Sequence, residues 1–155
     1  MPTRWMSEKD AQEFLAAQTE GRLATCNRAG QPYITPLNYL YREGNIYFHC
    51  KTTGRKLDNI AENGRVCFEV SKVEKITISH DRPCGCSTRY SSVLAFGAAR
   101  VVADNAEKTT LLNQLVERYA GDKPFLPVEE KHLAGCAVVE ICIDEIKGKR
   151  NVDPE

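Results

Sequence analysis

The sequence lacks a long hydrophobic run, an excess of charge of either sign and an abundance of aromatic residues. No apolar stretch approaches the roughly 18 residues that a membrane-spanning helix needs. Lys plus Arg and Asp plus Glu number 21 each, which argues against a general binder of nucleic acid or of a membrane surface, because such proteins need a net positive field. The N-terminal residues lack the apolar stretch of a signal peptide, so we expect a cytoplasmic protein.

The composition that remains is that of one ordinary globular domain, which we expect to span residues 1–155. The chain is 42% hydrophobic and 27% charged, and its length allows a core without disulfides or metals. It has 7 cysteines, and an odd number without an export signal favours free thiols. Cys84 and Cys86 follow His80 closely, which is compatible with a metal cluster or with a plain loop carrying two thiols. Because no fourth ligand is evident, we expect no metal.

Hydrophobic periodicity predicts a mainly β chain with about three helices. Ser7 and Asp10 predict the start of a first helix that Gly21 closes, and Asp104 or Asn105 caps a longer helix that ends before Gly121. Strands are predicted over 22–27, 32–41, 46–50, 65–70, 75–79, 89–103 and 136–147, and a short helix over 54–62. Loops are predicted over 81–88 and over 125–133, the second with a helical turn. Six or seven strands joined by glycine turns favour an antiparallel Greek-key barrel over a parallel sheet.

A polar turn between a predicted strand and a predicted helix carries three cations. Lys51 precedes the helix, and Arg55 and Lys56 lie in its first turn, where each cation opposes the helix dipole at a cost of roughly 0.3–1 kcal/mol. A bound anion would remove this cost, and the hydroxyls of Thr52 and Thr53 complete a phosphate cradle. The alternative is that these cations point into solvent. The turn is neither a Walker loop nor a GxGxxG motif, so the residues alone do not name the anion.

The order of five short segments along the chain is more specific than any one of them. They are GRLAT (21–25), GQPYITPLNY (30–39), IYFH (46–49), GRKLDNI (54–60) and RVCFEV (65–70), and YSSV (90–93) continues the pattern. This set, over roughly residues 5–147, resembles the pyridoxamine 5′-phosphate oxidase-like, FMN-binding split-barrel superfamily, and most of all its nitroimidazole reductase (nitroimidazole-resistance) branch. The resemblance implies a six-stranded antiparallel Greek-key split barrel and a homodimer with two FMN molecules in clefts between the subunits.

The resemblance also implies where FMN would be held. The turn would bind its phosphate, the strand before the turn would border the flavin, and the backbone of the 32–41 strand would meet the isoalloxazine ring. Another strand would contribute Ser92, and Tyr90 would lie at the edge of the cofactor, although aromatic residues on strands usually serve packing. The FMN contacts implied are Pro36, Leu37, Asn38, Tyr39, His49, Cys50, Lys51, Thr52, Thr53, Arg55, Lys56, Tyr90 and Ser92.

Two departures from the family bear on the reaction. True pyridoxamine phosphate oxidases have a longer C-terminal region in which Arg and His hold the substrate phosphate. The sequence has no such motif, so we do not expect vitamin B6 oxidation. Gly54 stands where the oxidases have Ser, as is usual in the nitroimidazole reductase branch.

His49 is the candidate catalytic residue. It would donate a proton to a substrate reduced by flavin, or alternatively only hydrogen-bond the phosphate or the backbone. We expect an FMN-dependent oxidoreductase that reduces a nitroimidazole, another nitroaromatic or a quinone-like acceptor, with a reduced nicotinamide as donor although no nicotinamide motif is present. The second hypothesis is a non-catalytic flavin-binding or electron-carrier module, and the third is a haem-binding split barrel.

Overall fold

The computed structural model describes residues 4–81 and 85–151, which form eight strands and three α-helices. The elements are β1 (Arg4–Trp5), α1 (Glu8–Ala17), β2 (Gly21–Cys26), β3 (Pro32–Leu37), β4 (Leu40–Arg42), β5 (Asn45–Cys50), α2 (Arg55–Glu62), β6 (Arg65–Thr77), β7 (Ser87–Val101), α3 (Asn105–Ala120), a 3-10 helix (Glu130–Gly135) and β8 (Ala137–Asn151). Every strand pair among these residues is antiparallel, which confirms the predicted fold class.

The strand order requires the sheet to curve until its two edges approach each other. The path runs β3-β2-β6-β7-β8-β5-β4, with β1 paired to β8, so β3 and β4 are opposite edges. In a flat sheet these edges would lie about 29 Å apart, whereas the connection through Asn38 and Tyr39 spans at most about 11 Å. No pairing joins β3 to β4 within the described ranges, so the barrel is split between them. The split barrel is confirmed, with eight strands instead of six or seven.

The predicted N-terminal caps of α1 and α3 and the tight turn between β4 and β5 are confirmed. The Ser7 hydroxyl accepts the Asp10 backbone N–H at 3.1 Å, and the Asp104 carboxylate caps α3 in the same way. Between β4 and β5, Glu43 and Gly44 have φ angles of 52° and 82°. Two successive positive values are typical of the type I′ turn, whose backbone twist matches that of the flanking strands.

Several predicted boundaries are wrong because long-range packing decides them. The predicted 32–41 strand breaks at Tyr39, whose fully buried side chain turns into the core and donates a hydrogen bond to the Leu15 carbonyl. The predicted 65–70 and 75–79 strands are one strand, β6, which continues through a bulge between Val73 and Lys75 because β7 pairs with it throughout.

The remaining differences lie at element ends. Gly21 does not close α1, which ends at Ala17; it begins β2 instead, where its lack of a side chain leaves room for the Phe68 ring. The last strand extends past the predicted end at residue 147 because β7 pairs with it as far as Asn151. The helical turn predicted within the 125–133 loop is present as the 3-10 helix, which extends past the predicted end of the loop to Gly135.

Two groups of buried side chains hold the elements together. The larger fills the barrel and includes Tyr39 and Phe68, whose rings meet edge to face with their centroids 4.8 Å apart. The smaller lies beneath α3 and the 3-10 helix and consists of Tyr47, Val102, Leu111, Leu112, Leu115, Leu133 and Val138. The smaller group fixes α3 and the 3-10 helix against β5 and β8.

Cys26, Cys50, Cys67, Cys86, Cys136 and Cys142 are free, in agreement with the prediction of thiols. Cys84 lies outside the described residues, whereas His80 and Cys86 are exposed. Among residues 4–81 and 85–151, no group of three or more His, Cys, Asp or Glu side chains could hold a metal ion. In the same ranges, no helix combines the length and the apolar character that crossing a membrane requires.

Candidate functional site

The turn between β5 and α2 exposes a helix start that has no side-chain cap. Gly54 is the N-cap residue, with a φ of 140° that favours glycine. Its carbonyl accepts the N–H groups of Leu57 and Asp58 at 2.9 and 3.1 Å. The N–H groups of Arg55 and Lys56 come earlier and have no intrahelical partner. The helix therefore presents backbone donors and the positive end of its dipole to solvent.

The predicted cations surround this helix start. Lys51, Arg55 and Lys56 form no ion pair with any carboxylate of the described residues. The Arg55 guanidinium lies 5.2 Å from the centroid of the Tyr33 ring on β3, which orients it by a cation–π contact. Lys56 approaches the Cys50 thiol and partly offsets the stronger effect of burial, which raises the pKa of that thiol. The cluster is thus positioned by the protein but not neutralised by it.

A buried hydrogen bond fixes α2, and with it the turn, to the barrel. The Asn59 amide donates to Thr25 Oγ1 at 3.0 Å, and the two residues are only 4% and 3% exposed. The next residue of α2, Ile60, packs into the barrel core. The backbone donors at the helix start are therefore held in place before any ligand arrives.

The four residues predicted to meet the flavin through their backbone do not behave alike. β3, which contains Pro36 and Leu37, is hydrogen-bonded to β2 alone among the described strands, so its other edge is open. The backbone of Tyr39 is already engaged, because its N–H donates to the Tyr119 hydroxyl at 2.9 Å and its carbonyl accepts from that hydroxyl at 2.8 Å. Burial raises the pKa of Tyr39 far above its usual range, so this side chain is a neutral core group.

An apolar pocket of about 500 Å³ lies beside the turn, between β5, α3 and the 3-10 helix. None of its lining residues carries a fixed charge; they are Asn38, His49, Leu112, Leu115, Val116, Tyr119, Ala120, Val128, His132 and Cys136. The His49 imidazole is exposed at its wall and has no hydrogen-bond partner among the described residues. Burial raises the pKa of the Cys136 thiol, as it does for Cys50, so neither is a reactive thiolate at neutral pH.

Ser92 and Tyr90 lie far from the turn within one chain. His49 pairs with Val138 near the start of β8, whereas Ser92 pairs with Lys149 near its end. About 36 Å of strand separates those two points of β8. The structure therefore brings together the predicted contacts on β3, β5 and the turn, and leaves the β7 contacts at the other end of the sheet.

Comparisons with known proteins place this geometry in a family. A family model described as pyridoxamine 5′-phosphate oxidase matches residues 7–150. The chain belongs to this family. Sequence comparison also finds an uncharacterized protein of Rhizobium meliloti (strain 1021), which is 35% identical over 72 residues, or 46% of each chain. The match thus spans about half the length of that relative.

Solved structures share the fold of this pyridoxamine 5′-phosphate oxidase family member. A candidate 5-nitroimidazole antibiotic resistance protein of Bacteroides thetaiotaomicron superposes with a TM-score of 0.82 at 21% identity, covering 96% of this chain and 87% of the other. A FAD- and haem-binding protein of Mycobacterium smegmatis gives a TM-score of 0.84 at 20% identity, covering 100% of this chain and 76% of the other. The family model confirms the predicted superfamily, and these two structures share its fold.

Sequence reasoning missed part of the pocket of this family member. The helix α3 itself is predicted from the sequence, but His132 and Cys136 lie in a predicted loop and at the start of a predicted strand. One local signal was available: Glu129 and His132 stand three residues apart, as the two members of a capping box do. The rest of the pocket depends on α3 packing beside the 3-10 helix, which no local pattern encodes.

Proposed function

We propose that this pyridoxamine 5′-phosphate oxidase family member binds FMN and uses it to reduce a small acceptor. One observation carries the proposal: Lys51, Arg55 and Lys56 surround an uncapped helix start and have no carboxylate partner among the described residues. An exposed anion with several oxygens suits that arrangement better than solvent does.

The residues of the turn fit a phosphate monoester. Such a group carries about −1.5 to −2 charge and three acceptor oxygens at neutral pH. Arg55 would hold it through its fork of donors and Lys56 as a point charge, while the exposed hydroxyls of Thr52 and Thr53 supply further donors. FMN ends in a phosphate monoester, whereas the two phosphates of FAD are joined in a diphosphate and carry one charge each. This difference favours FMN over FAD.

The chemistry divides between the cofactor and the chain. Bound flavin would supply hydride or electron transfer to the acceptor, with a reduced nicotinamide as donor. The chain would hold the acceptor beside the turn and exclude water with the apolar walls of the pocket. His49, whose imidazole lies unpartnered at the pocket wall, would donate the proton that the reduced acceptor takes up.

We further propose that the protein works as a homodimer. In one protomer Tyr90 and Ser92 stand about 36 Å of strand away from the point of β8 that faces His49. A two-fold arrangement would place the β7 end of one protomer against the turn of its partner and so complete the site. Sedimentation equilibrium should give twice the mass of one chain; a monomer that binds FMN tightly would contradict this arrangement.

The central test is the identity and affinity of the bound flavin. The purified protein should be yellow, and heat-released cofactor should run with FMN on chromatography. Titration of flavin-free protein should show much tighter binding of FMN than of riboflavin, which lacks the phosphate. Equal affinities, or no binding of either, would exclude the proposed role of the turn. Steady turnover of a nitroimidazole or a quinone with reduced nicotinamide would distinguish an enzyme from a flavin carrier.

Haem binding is a second candidate, and one specific observation favours it. The His49 imidazole lies free at the wall of an apolar pocket of about 500 Å³, and the Mycobacterium smegmatis protein with the same fold binds FAD and haem. An apolar pocket with one available imidazole is a plausible haem site. A Soret band after incubation with haemin, lost in His49→Ala, would support this function; an unchanged haemin spectrum would remove it.

A further inference from the structure

His132 is held in one tautomer by the backbone that precedes it. The Glu129 N–H donates to His132 Nδ1 at 3.0 Å, while the Glu129 carboxylate accepts the His132 backbone N–H and completes a capping box. A neutral imidazole has one donor and one acceptor nitrogen. Because Nδ1 accepts, the proton resides on Nε2, and the free end of His132 is a hydrogen-bond donor.

The other polar groups of the pocket, apart from His49, are already used within the protein. The Asn38 amide donates to the Thr19 carbonyl at 2.9 Å. The Tyr119 hydroxyl accepts the Tyr39 N–H, and its one proton is shared between the carbonyls of Thr19 and Tyr39, each at 2.8 Å. The Cys136 thiol contacts the Ala137 carbonyl at 3.6 Å. Of these lining side chains, the two imidazoles are therefore the ones that keep an unpaired ring nitrogen for a ligand.

The walls also determine the charge of the ligand. None of the lining residues carries a fixed charge, so a phosphate or carboxylate in the pocket would lose its hydration without gaining a counterion. The volume of about 500 Å³ suits a small molecule. These features select an uncharged ring system with few polar atoms.

We propose that the pocket binds the acceptor substrate, an uncharged aromatic or quinone-like ring, and that His132 Nε2–H donates a hydrogen bond to one of its oxygens. One part of this inference, that the bound ring compound is the molecule that is reduced, rests on the proposed function. His132 is then a substrate-binding residue that selects ring compounds carrying a carbonyl or nitro oxygen. The same tautomer makes His132 unsuitable as a metal ligand. An imidazole that coordinates a metal through Nε2 donates a hydrogen bond through Nδ1, whereas Nδ1 of His132 accepts one.

The test uses two ring compounds of the same shape. 2,3-Dimethyl-1,4-naphthoquinone has carbonyl oxygens, and 2,3-dimethylnaphthalene has none. Binding of each is measured by calorimetry to the purified protein, with oxidised flavin and no reductant. His132→Asn is the informative variant because its Oδ1 can still accept the Glu129 N–H, as Asn does in helix caps, while the donor at the Nε2 position is lost.

We expect His132→Asn to weaken binding of the quinone about three- to tenfold, the range of one neutral hydrogen bond, and to leave the hydrocarbon unaffected. His80→Ala, which removes an exposed histidine outside the pocket, should change neither. Val116→Trp should weaken both ligands by filling the pocket. Equal losses for both compounds in His132→Asn, an unchanged quinone affinity, or full binding to Val116→Trp would each overturn the inference.

Repeating the titration with flavin-free protein separates this inference from the proposed function. If no flavin binds under any condition, flavin chemistry fails, whereas the preference for the quinone can still be measured. If FMN displaces the quinone one for one, the pocket belongs to the flavin ring and the inference fails while flavin binding stands. Simultaneous binding of FMN and the quinone is the expected result.

Discussion

The cations near the two ends of β8 differ in whether a carboxylate lies beside them. Near its end, Lys147 forms an ion pair with Glu145, and the Arg150 guanidinium lies 3.9 Å from the Asp10 carboxylate. Near its start, Lys51, Arg55 and Lys56 have no carboxylate partner among the described residues. A protein with equal numbers of both charges could have neutralised them. The proposed binding of an anion at the turn would account for this difference.

The two ends also differ in the apolar surface that they present. The start of β8 lies beside the apolar pocket, which is large enough to enclose a ring system. The other end has a smaller cleft of about 230 Å³, which includes Ser92, Phe96 and the side chain of Trp5. Trp5 is 72% exposed, which is unusual for so large an apolar side chain. Such a surface suits a second protein chain better than it suits solvent.

The comparison is most strongly tested by removing the cations of the turn. Arg55→Ala/Lys56→Ala should weaken FMN binding about 100- to 10,000-fold, because each of the two charge-assisted contacts contributes roughly 1.5–3 kcal/mol. Fluorescence titration with FMN and with riboflavin measures the effect. Riboflavin affinity should not change, since riboflavin lacks the phosphate.

The control for this experiment is Lys9→Ala, which removes an exposed cation that faces Glu13 on α1. It should leave both affinities unchanged. Equal weakening of FMN and riboflavin in the double variant would show that the turn shapes the flavin site without binding the phosphate.

A smaller effect is expected for the pocket beside the turn. His49→Ala should lower kcat for a quinone or nitroimidazole about 100-fold, the lower limit for loss of a general acid, while FMN stays bound. Stopped-flow measurement of flavin reduction and of flavin reoxidation should show that the slowed step is the transfer of electrons and a proton to the acceptor. Unchanged turnover with a full complement of FMN would exclude a catalytic role for His49 and leave it a pocket-wall residue.

Loss of the anchor of α2 should affect stability and flavin binding together. Asn59→Ala removes the buried hydrogen bond to Thr25 and should lower the free energy of unfolding by about 1–3 kcal/mol, measured in urea. The matched variant at the other end of β8 is Asn151→Ala, which removes a contact to Arg89. Both variants should lose stability, but only Asn59→Ala should also weaken FMN binding in the folded protein, because only Asn59 positions the turn.

Local chemistry determined how much of this could be predicted from the sequence. The turn and the start of α2 follow from a strand end, a glycine and a set of cations, all within eight residues or so, and the structure places them as predicted. The break at Tyr39 could not be predicted, because it depends on a core position beneath Leu15 and Tyr119, which are distant in sequence. The pocket is hidden for the same reason. The separation of Ser92 from His49 follows only from the register of β5, β7 and β8.

The smallest expected effect, half of the normal flavin content, gives the most direct test of whether the two ends of β8 form one site. Arg55→Ala/Lys56→Ala removes the turn contacts, and Ser92→Trp should block the site from the β7 end. Each variant alone should form dimers that bind little FMN. A mixed dimer, isolated through two different affinity tags, combines one intact turn with one intact Ser92 across the two-fold axis and should bind one FMN.

If Ser92 served the turn of its own chain, the mixed dimer would bind none. If Ser92 were unrelated to the site, the Ser92→Trp dimer would bind two. The FMN-to-protein ratio, read from absorbance, therefore distinguishes a site shared between protomers from a site within one chain.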